Sequence, residues 1–237
     1  MASEQQRLIP VVGGSVAATW MVPTSPRGVV VLAHGNGDEL LAARSHAIAR
    51  GLCAAGVATL AAGLLTAEEE QLDDETAALR FDVPFLAARL VAAVDWLQQG
   101  EGWLQQGEGR GLPLGLFGAS NGATAALRAA ALRSGVVRAV VSFGGRPDLA
   151  GAALARVQAP VLLIVSPRDD VVVGLNQRAR AQLRTESELV VVASTTHLLS
   201  DPRTLEQVCG PARAWFERHL GERHLVDGGT DAPLGGA

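Results

Sequence analysis

Short, uninterrupted apolar segments recur along this chain and alternate with longer segments of helical periodicity. The clearest are GVVVLA at 28–33 and PVLLIV at 160–165. Such runs are typical of strands that are buried on both faces, as in parallel sheets. A sheet of this kind needs helices on both sides to cover it, so the alternation predicts an α/β fold with a mostly parallel sheet of about seven to eight strands.

The bounds of the individual elements follow from the same pattern. Strands are predicted at 8–12, 15–21, 28–33, 57–62, 112–117, 137–142, 160–165 and 188–193. Helices are predicted at 41–55, 83–98, 121–134, 175–184 and 202–220. The acidic, polar stretch 66–80 is interpreted as a solvated loop and helix face. These elements fit one domain over residues 1–221, and the tail 222–237 is predicted to be disordered.

Charge and hydropathy limit the expected partners. The 237 residues carry a formal net charge of −4 and contain no basic block, so neither nucleic acid nor an anionic membrane is an expected partner. No apolar run approaches the roughly 18 residues of a membrane span, and the N-terminus has no apolar signal-peptide core. We therefore expect a cytoplasmic protein. Its oligomeric state is expected to be a monomer or a homodimer.

The chain has no lysine, and all its basic residues are arginines. A Schiff-base lysine and a P-loop lysine are thereby absent, which excludes pyridoxal phosphate enzymes and Walker-type nucleotide hydrolases. Cys53 and Cys209 lie in apolar helical segments and are predicted to be buried free thiols rather than a disulfide.

The heptapeptide WLQQGEG occurs twice in succession, at 96–102 and 103–109. Two copies are far short of a repeat architecture. We interpret them as a local duplication that lengthens a surface connection, because exposed insertions are tolerated at little cost.

A serine lies at a predicted strand-to-helix junction, in the segment GLFGASNG at 115–122. Ser120 stands between Gly118 and Gly122, after a strand and before an alanine-rich helix. This is the setting of a nucleophile elbow, a tight turn that lifts the hydroxyl above the sheet edge. Ser120 is therefore predicted to be a catalytic nucleophile, and the alternative is a small residue in a non-catalytic turn.

A serine nucleophile needs a base and an acid that orients the base. In this fold the two follow the serine in the order acid, then histidine. One later strand leads into Asp169 and Asp170, and the last strand leads into His197. We assign His197 as the base and favour Asp169 as the acid, with Asp170 as its neighbouring alternative and Asp148 as a weaker rival.

His197 is the one histidine that lies beyond the serine in a loop between a strand and a helix. His34 is interpreted as shaping a turn beside a glycine, and His46 falls on a helical stretch. His219 and His224, at the end of the final helix and in the tail, are predicted to be solvated.

Two backbone N–H groups are predicted to form the oxyanion hole, one after the nucleophile and one after the third strand. These positions are Asn121 and Asn36. Each donor lowers the barrier by about 3 kcal/mol in such sites. Only the backbone is implicated, so both side chains are expected to be replaceable, and neither a metal nor an organic cofactor is required.

The motifs together resemble the α/β-hydrolase superfamily and, within it, the dienelactone hydrolase-like group. They are HGNG at 34–37, GLPLGLFGASNGATAAL at 111–127, SFGGRPDLAG at 142–151, PVLLIVSPRDDVVVGLN at 160–176, TTHLLSDP at 195–202 and ARAWFERHL at 212–220. The resemblance implies an α/β-hydrolase fold without a large lid domain. Dienelactone hydrolases bind a substrate carboxylate through arginines, which points to Arg80 or Arg146, and they carry a cysteine where this chain has Ser120.

The combined hypothesis is an esterase that cleaves small or medium soluble esters or lactones through an acyl-enzyme on Ser120. About seventeen residues separate the strands at 137–142 and 160–165, which leaves room for one short helix and predicts an open pocket. The alternatives are a non-catalytic protein on the same fold and an acyl transferase. A dinucleotide-binding oxidoreductase is disfavoured because Leu40 replaces the third glycine of the phosphate-binding fingerprint.

Overall fold

The computed structural model describes residues 3–33, 39–99, 103–105, 107–166, 170–192 and 202–221. The strands are β1 (Ser3–Val11), β2 (Gly14–Val22), β3 (Val29–Ala33), β4 (Ala58–Ala62), β5 (Leu114–Ala119), β6 (Val137–Phe143), β7 (Val161–Val165) and β8 (Ser187–Val191). The α-helices are α1 (Glu39–Ala54), α2 (Ala67–Thr76), α3 (Val83–Gln98), α4 (Asn121–Leu132), α5 (Asp170–Arg180) and α6 (Pro202–Leu220). Short 3₁₀ segments lie at Leu79–Phe81, Trp103–Gln105, Gly107–Gly109 and Pro147–Arg156. The predicted tail, 222–237, lies outside the described residues.

Within the described residues the strands form one eight-stranded sheet in the order β1-β2-β4-β3-β5-β6-β7-β8. β2 is antiparallel to both of its neighbours, β1 and β4, and the other neighbouring pairs are parallel. The predicted mostly parallel sheet is confirmed. The carboxyl ends of β3 and β5 to β8 therefore share one edge, which is where open α/β sheets bind their ligands.

The sheet is buried on both faces by helices. In β3, Val31 belongs to the apolar layer that includes α3 and α4, whereas Leu32 belongs to the layer that includes α1 and α6. Successive side chains of a strand alternate between faces, so an uninterrupted apolar strand serves both layers. Gly115 of β5 leaves room for α6, because a Cβ there would lie 2.7 Å from Cε1 of Phe216.

The acidic stretch before α3 departs from the prediction of a solvated segment. Thr66 and Glu69 form a reciprocal capping box at the start of α2. Asp73 of this helix is buried, with its side chain only 1% exposed. Its carboxylate is the partner of Arg80. Glu69 is also mostly covered and pairs with the buried Arg89, so this stretch is only partly solvated.

The two copies of the heptapeptide adopt different local structures. The first copy ends α3, where Leu97 is fully buried, and the second begins with the 3₁₀ turn Trp103–Gln105. Leu104 is 4% exposed, and the Trp103 ring packs edge-on against Trp20 at 4.9 Å between centroids. The interpretation as a surface connection is therefore wrong for Trp103 and Leu104, because these large apolar side chains pack onto the core.

Three other predictions concern cysteines, histidines and membrane contact. Cys53 and Cys209 are buried free thiols, as predicted. Burial raises the pKa of both thiols, that of Cys209 to about 11, which keeps both protonated.

The prediction that His219 is solvated is wrong. Its side chain is 13% exposed, and its ring centroid lies 4.4 Å from that of Trp215. None of the helices in the described part of the chain combines the length and apolarity needed to cross a bilayer.

Candidate active site

Ser120 occupies a strained turn between β5 and α4. Its backbone angles are φ 54° and ψ −123°, a region that residues with a side chain rarely adopt. Its N–H donates to the Phe143 carbonyl at 3.0 Å, and its carbonyl accepts from the Ala123 N–H at 3.1 Å. Such strain costs about 1–3 kcal/mol and persists only where the surroundings hold it. The geometry is that of a nucleophile elbow.

Close backbone packing explains the glycines around this turn. A Cβ at Gly118 would lie 2.2 Å from the Gly122 carbonyl oxygen, and a Cβ at Gly122 would lie 2.7 Å from that of Ala33. Gly145, in the loop after β6, is as tightly enclosed, since its Cβ would lie 2.5 Å from Cβ of Ala123. The turn can approach β3 and β6 this closely only because these positions carry no side chain.

Three predicted site residues, Asn36, Asp169 and His197, lie outside the described residues. Their roles stay predictions. The strands that precede them end at one edge: Ala33 of β3 pairs with Gly118 of β5, and Val165 of β7 pairs with Val191 of β8. β6 connects the two pairs, since it lies between β5 and β7. Chain segments that leave β3, β7 and β8 therefore start at the edge of the sheet where Ser120 lies.

Asn121, the other predicted oxyanion residue, makes a side-chain contact that the sequence did not suggest. Its Nδ2 donates to the backbone carbonyl of Arg80 at 2.7 Å. This bond joins the first turn of α4 to the 3₁₀ segment Leu79–Phe81. The side chain therefore holds a neighbouring segment, which is a contact separate from the predicted role of the Asn121 backbone N–H.

The Arg80 side chain is bound by the buried carboxylate of Asp73. Nε of Arg80 donates to Oδ2 at 2.6 Å, and Nη2 donates to the Asp73 carbonyl at 2.8 Å. Oδ1 of Asp73 also accepts from the backbone N–H groups of Leu79 and Arg80. Burial by itself raises the pKa of Asp73, but these hydrogen bonds and the guanidinium charge bring that pKa below its ordinary value. Asp73 is thus held as a carboxylate.

Arg146 is paired in a similar way. Nε and Nη2 of Arg146 donate to the two carboxylate oxygens of Asp148 at 2.8 and 2.7 Å. The hydrogen bonds from Arg146 lower the pKa of Asp148, against a smaller opposing effect of burial. Asp148, the weaker rival for the triad acid, therefore has both oxygens bound to an arginine.

Two buried polar side chains hold the loop that follows β6. Asn176 of α5 is fully buried, and its Nδ2 contacts the carbonyls of Gly145 at 3.3 Å and Val172 at 2.9 Å. Oγ1 of Thr124 in α4 donates to the Arg146 carbonyl at 3.0 Å. Sequence reasoning missed both roles; the one available signal was a polar residue on the apolar face of each helix.

Metal binding has no support in the described part of the chain. No group of three or more His, Cys, Asp and Glu side chains is placed there so that it could hold an ion.

Comparison with known proteins agrees with this geometry. A model of the dienelactone hydrolase family matches residues 16–194, which is most of the chain. The chain belongs to the dienelactone hydrolase family. The solved structure of a dienelactone hydrolase from Anabaena variabilis is 42% identical to this family member, covers 92% of it and 99% of its own chain, and has a TM-score of 0.85. The predicted α/β-hydrolase fold and the family resemblance are both confirmed.

More distant structures share the fold alone. Est1E from Butyrivibrio proteoclasticus is 15% identical to this family member, covers 92% of it and 99% of its own chain, and has a TM-score of 0.72.

Two curated proteins of Mycobacterium tuberculosis, each named "Putative phosphoribosyl transferase", are 49% identical to this family member over 214 residues. That match covers 90% of this chain and 46% of theirs, so the chain spans about half the length of these relatives.

Proposed function

We propose that this member of the dienelactone hydrolase family is a serine hydrolase that cleaves carboxylic ester bonds of small or medium soluble esters or lactones. The observation that carries the proposal is the conformation of Ser120, with φ 54° and ψ −123° at the carboxyl end of β5. A strained serine enclosed by glycines at this edge is the feature that a nucleophile requires and that a plain turn does not. Family membership supports hydrolysis as the reaction class.

In the proposed mechanism, His197 takes the proton from Ser120 as Oγ attacks the ester carbonyl carbon. Asp169 orients the imidazole and stabilises its charged form. The tetrahedral oxyanion accepts hydrogen bonds from the backbone N–H groups of Asn36 and Asn121. His197 then protonates the departing alcohol, which leaves an acyl group on Ser120.

Water completes the cycle by the same chemistry. His197 removes a proton from water as the water oxygen attacks the acyl carbon, and the acid is released when Ser120 regains its proton. An alcohol in place of water would give acyl transfer, so the two reactions use one site.

The connection between β6 and β7 favours substrates of modest size. Its seventeen residues, 144–160, contain the 3₁₀ segment Pro147–Arg156, which is kinked at Gly151 with φ 55°. Thr124 and Asn176 hold the start of this connection against α4 and α5. A connection of this length supports an open pocket, so no jump in rate is expected when a long-chain ester forms micelles.

The name of the Mycobacterium tuberculosis relatives does not extend to this proposal. Those proteins are about twice as long as the matched region. The aligned half corresponds to the hydrolase fold described above, so a phosphoribosyl transferase activity is not proposed for this chain.

The test is labelling with a fluorophosphonate probe, followed by intact mass and peptide mapping. The wild type should gain one adduct on Ser120, and Ser120→Ala should gain none while keeping its circular dichroism spectrum. Ser134→Ala, in the turn that follows the far end of α4, is the matched control and should label like the wild type. A folded wild type that takes no label would overturn the proposal in favour of a non-catalytic protein on this fold.

A further inference from the structure

The chain between β4 and α3 borders the nucleophile elbow. β4 ends at the same edge of the sheet as β3 and β5. The chain then forms α2 and the 3₁₀ turn that carries Arg80. The Arg80 carbonyl accepts from Nδ2 of Asn121, the residue directly after Ser120. Residues 67–82, termed the α2 segment below, therefore lie beside the proposed site.

The α2 segment packs onto the domain with very little apolar burial. Among its sixteen residues only Asp73 is buried. Leu72 and Phe81 are 52% and 66% exposed, and Leu79 packs against the core but is only partly buried. Parts of a protein with few buried apolar contacts open at a low cost in free energy. Moving this segment away from the domain exposes little additional apolar surface.

The internal contacts of the α2 segment, in contrast, hold it together. The partners of the Asp73 carboxylate are Leu79 and Arg80, which belong to the same segment. The N–H of Ala77, which ends α2 with φ 53°, donates to the Asp73 carbonyl at 2.7 Å. The segment can therefore move as a unit without losing these bonds.

Polar contacts hold the α2 segment against its neighbours. Glu69 pairs with Nη2 of Arg89 in α3, and the Arg80 carbonyl is bound by Asn121 in α4. Nη1 of Arg89 also donates to the Val12 carbonyl at 2.7 Å. Because of this second bond, Arg89 stays in place when Glu69 leaves it. Contacts of this kind can be exchanged for water.

The chain on the other side of β5 is held differently. The connection 144–160 follows β6, whereas the α2 segment follows β4, and β5 lies between them in the sheet. Thr124 and Asn176 bind the start of this connection. Its 3₁₀ segment buries four side chains, those of Pro147, Ala150, Ala153 and Leu154. Displacing it would expose apolar surface, so this side of the site is fixed.

We propose, resting on the hydrolase function above, that the α2 segment is a small lid. It swings away from α4 as a unit about the buried residues at its two ends, Thr66 and Val83, and so admits substrate and releases product. Closing restores the contacts of Glu69 with Arg89 and of Arg80 with Asn121. A closed lid limits the access of water to the reacting atoms. The connection 144–160 sets the fixed side of the pocket, and the lid sets access to it.

Spin labels on introduced cysteines test the motion directly. Leu72→Cys with Leu132→Cys joins the lid to the far end of α4, and Leu149→Cys with Leu132→Cys is the control pair on the fixed side. All three leucines are about half exposed, whereas the native thiols are buried and protonated. Pulsed electron paramagnetic resonance should give two distances for the lid pair and a single narrow one for the control pair.

Glu69→Gln tests the contact that closes the lid. Glutamine still accepts from the Thr66 N–H in the capping box, but it removes the charge that faces Arg89. The population at the longer distance should rise about threefold, the effect of one weakened ion pair. Labelling of Ser120 by a bulky fluorophosphonate should accelerate by a similar factor, and the rate with diisopropyl fluorophosphate should stay unchanged.

Glu188→Gln is the matched control. It removes one negative charge from a pair with Arg218 near the amino end of β8 and away from the catalytic edge. Neither the distances of the lid pair nor the labelling rates should change. If Glu69→Gln fails to fold, the two label pairs in the otherwise wild-type chain still decide.

The lid and the hydrolase function fail in different ways. A single distance for the lid pair, as narrow as that of the control pair, overturns the lid. Two distances whose populations are the same in a folded Glu69→Gln variant also overturn it, because the proposed contact would not hold the closed form. A folded wild type in which neither probe labels Ser120 overturns the hydrolase function, and the spin-label distances, which need no activity, separate that result from a rigid segment.

Discussion

The side chain of Asn121 and the backbone of Arg80 are joined by a 2.7 Å hydrogen bond beside the nucleophile. The residue whose N–H is proposed to stabilise the oxyanion thus also holds the segment that carries Arg80. Asp73 binds that segment from its other side through its carboxylate. The elbow, the 3₁₀ turn Leu79–Phe81 and α2 are therefore linked through three side chains.

Asn121→Ala should impair substrate binding more than chemistry. The backbone N–H remains, so kcat should fall by less than about threefold, whereas the loosened segment should raise KM several-fold. Loss of one partly buried hydrogen bond should lower the free energy of unfolding by about 1 kcal/mol. Steady-state kinetics and urea unfolding measure the two effects.

The control for this variant is Thr185→Ala. Its hydroxyl donates to the Gln158 carbonyl at 2.9 Å, just before β8 and far from Ser120. It should leave KM unchanged. A large fall in kcat for Asn121→Ala with an unchanged KM would contradict the positioning role.

Gly122→Ala should be strongly destabilising. Its added Cβ would lie 2.7 Å from a backbone oxygen of β3, which cannot move without disturbing the sheet. Overpacking of this kind costs about 1–3 kcal/mol, and the same shift would displace Ser120 and abolish probe labelling. Gly135→Ala, where nothing lies within 4 Å of the added atom, should keep both the stability and the labelling of the wild type.

Asn176→Leu should weaken the contact between α5 and the loop after β6. The Gly145 carbonyl would lose its buried donor, at a cost of about 1–3 kcal/mol in the free energy of unfolding. Because α5 begins directly after Asp169, we also expect a lower kcat from a less ordered acid. Thermal unfolding and kinetics should change together, and a variant with lowered stability but wild-type kcat would show that Asn176 is structural only.

Acid should destabilise the protein partly through Asp73. Its pKa is lower in the folded than in the unfolded chain, so its stabilising effect is complete above the unfolded value of about 4 and is lost as the pH falls through the folded value. Asp73→Asn should therefore lower the free energy of unfolding at pH 7 and flatten its decline below pH 4. Urea titrations from pH 7 to pH 3 measure this, and parallel curves for wild type and variant would argue against it.

The fold could be predicted because its signals are local. An apolar run predicted the strand at 28–33, which the structure places at Val29–Ala33, and periodicity gave the bounds of α3 and α6 as observed. α5 was predicted to begin at 175, but it begins at Asp170. Its first turn contains the β-branched run Val171–Val173, whose low helix propensity gives no local signal for a helix. Packing of Asn176 and Ala179 overrides that propensity.

The sequence by itself determined the layered α/β fold and the glycine-flanked serine, because periodicity and turn chemistry act over a few neighbouring residues. Only the tertiary structure decided which charges are available beside that serine. Ala77, with φ 53°, ends α2 and reverses the chain so that Arg80 meets Asp73. Neither that turn nor the burial of Asp73 is encoded in a local pattern. Arg80, which looked available to a substrate, was paired by Asp73, whose position depends on that turn and on its burial.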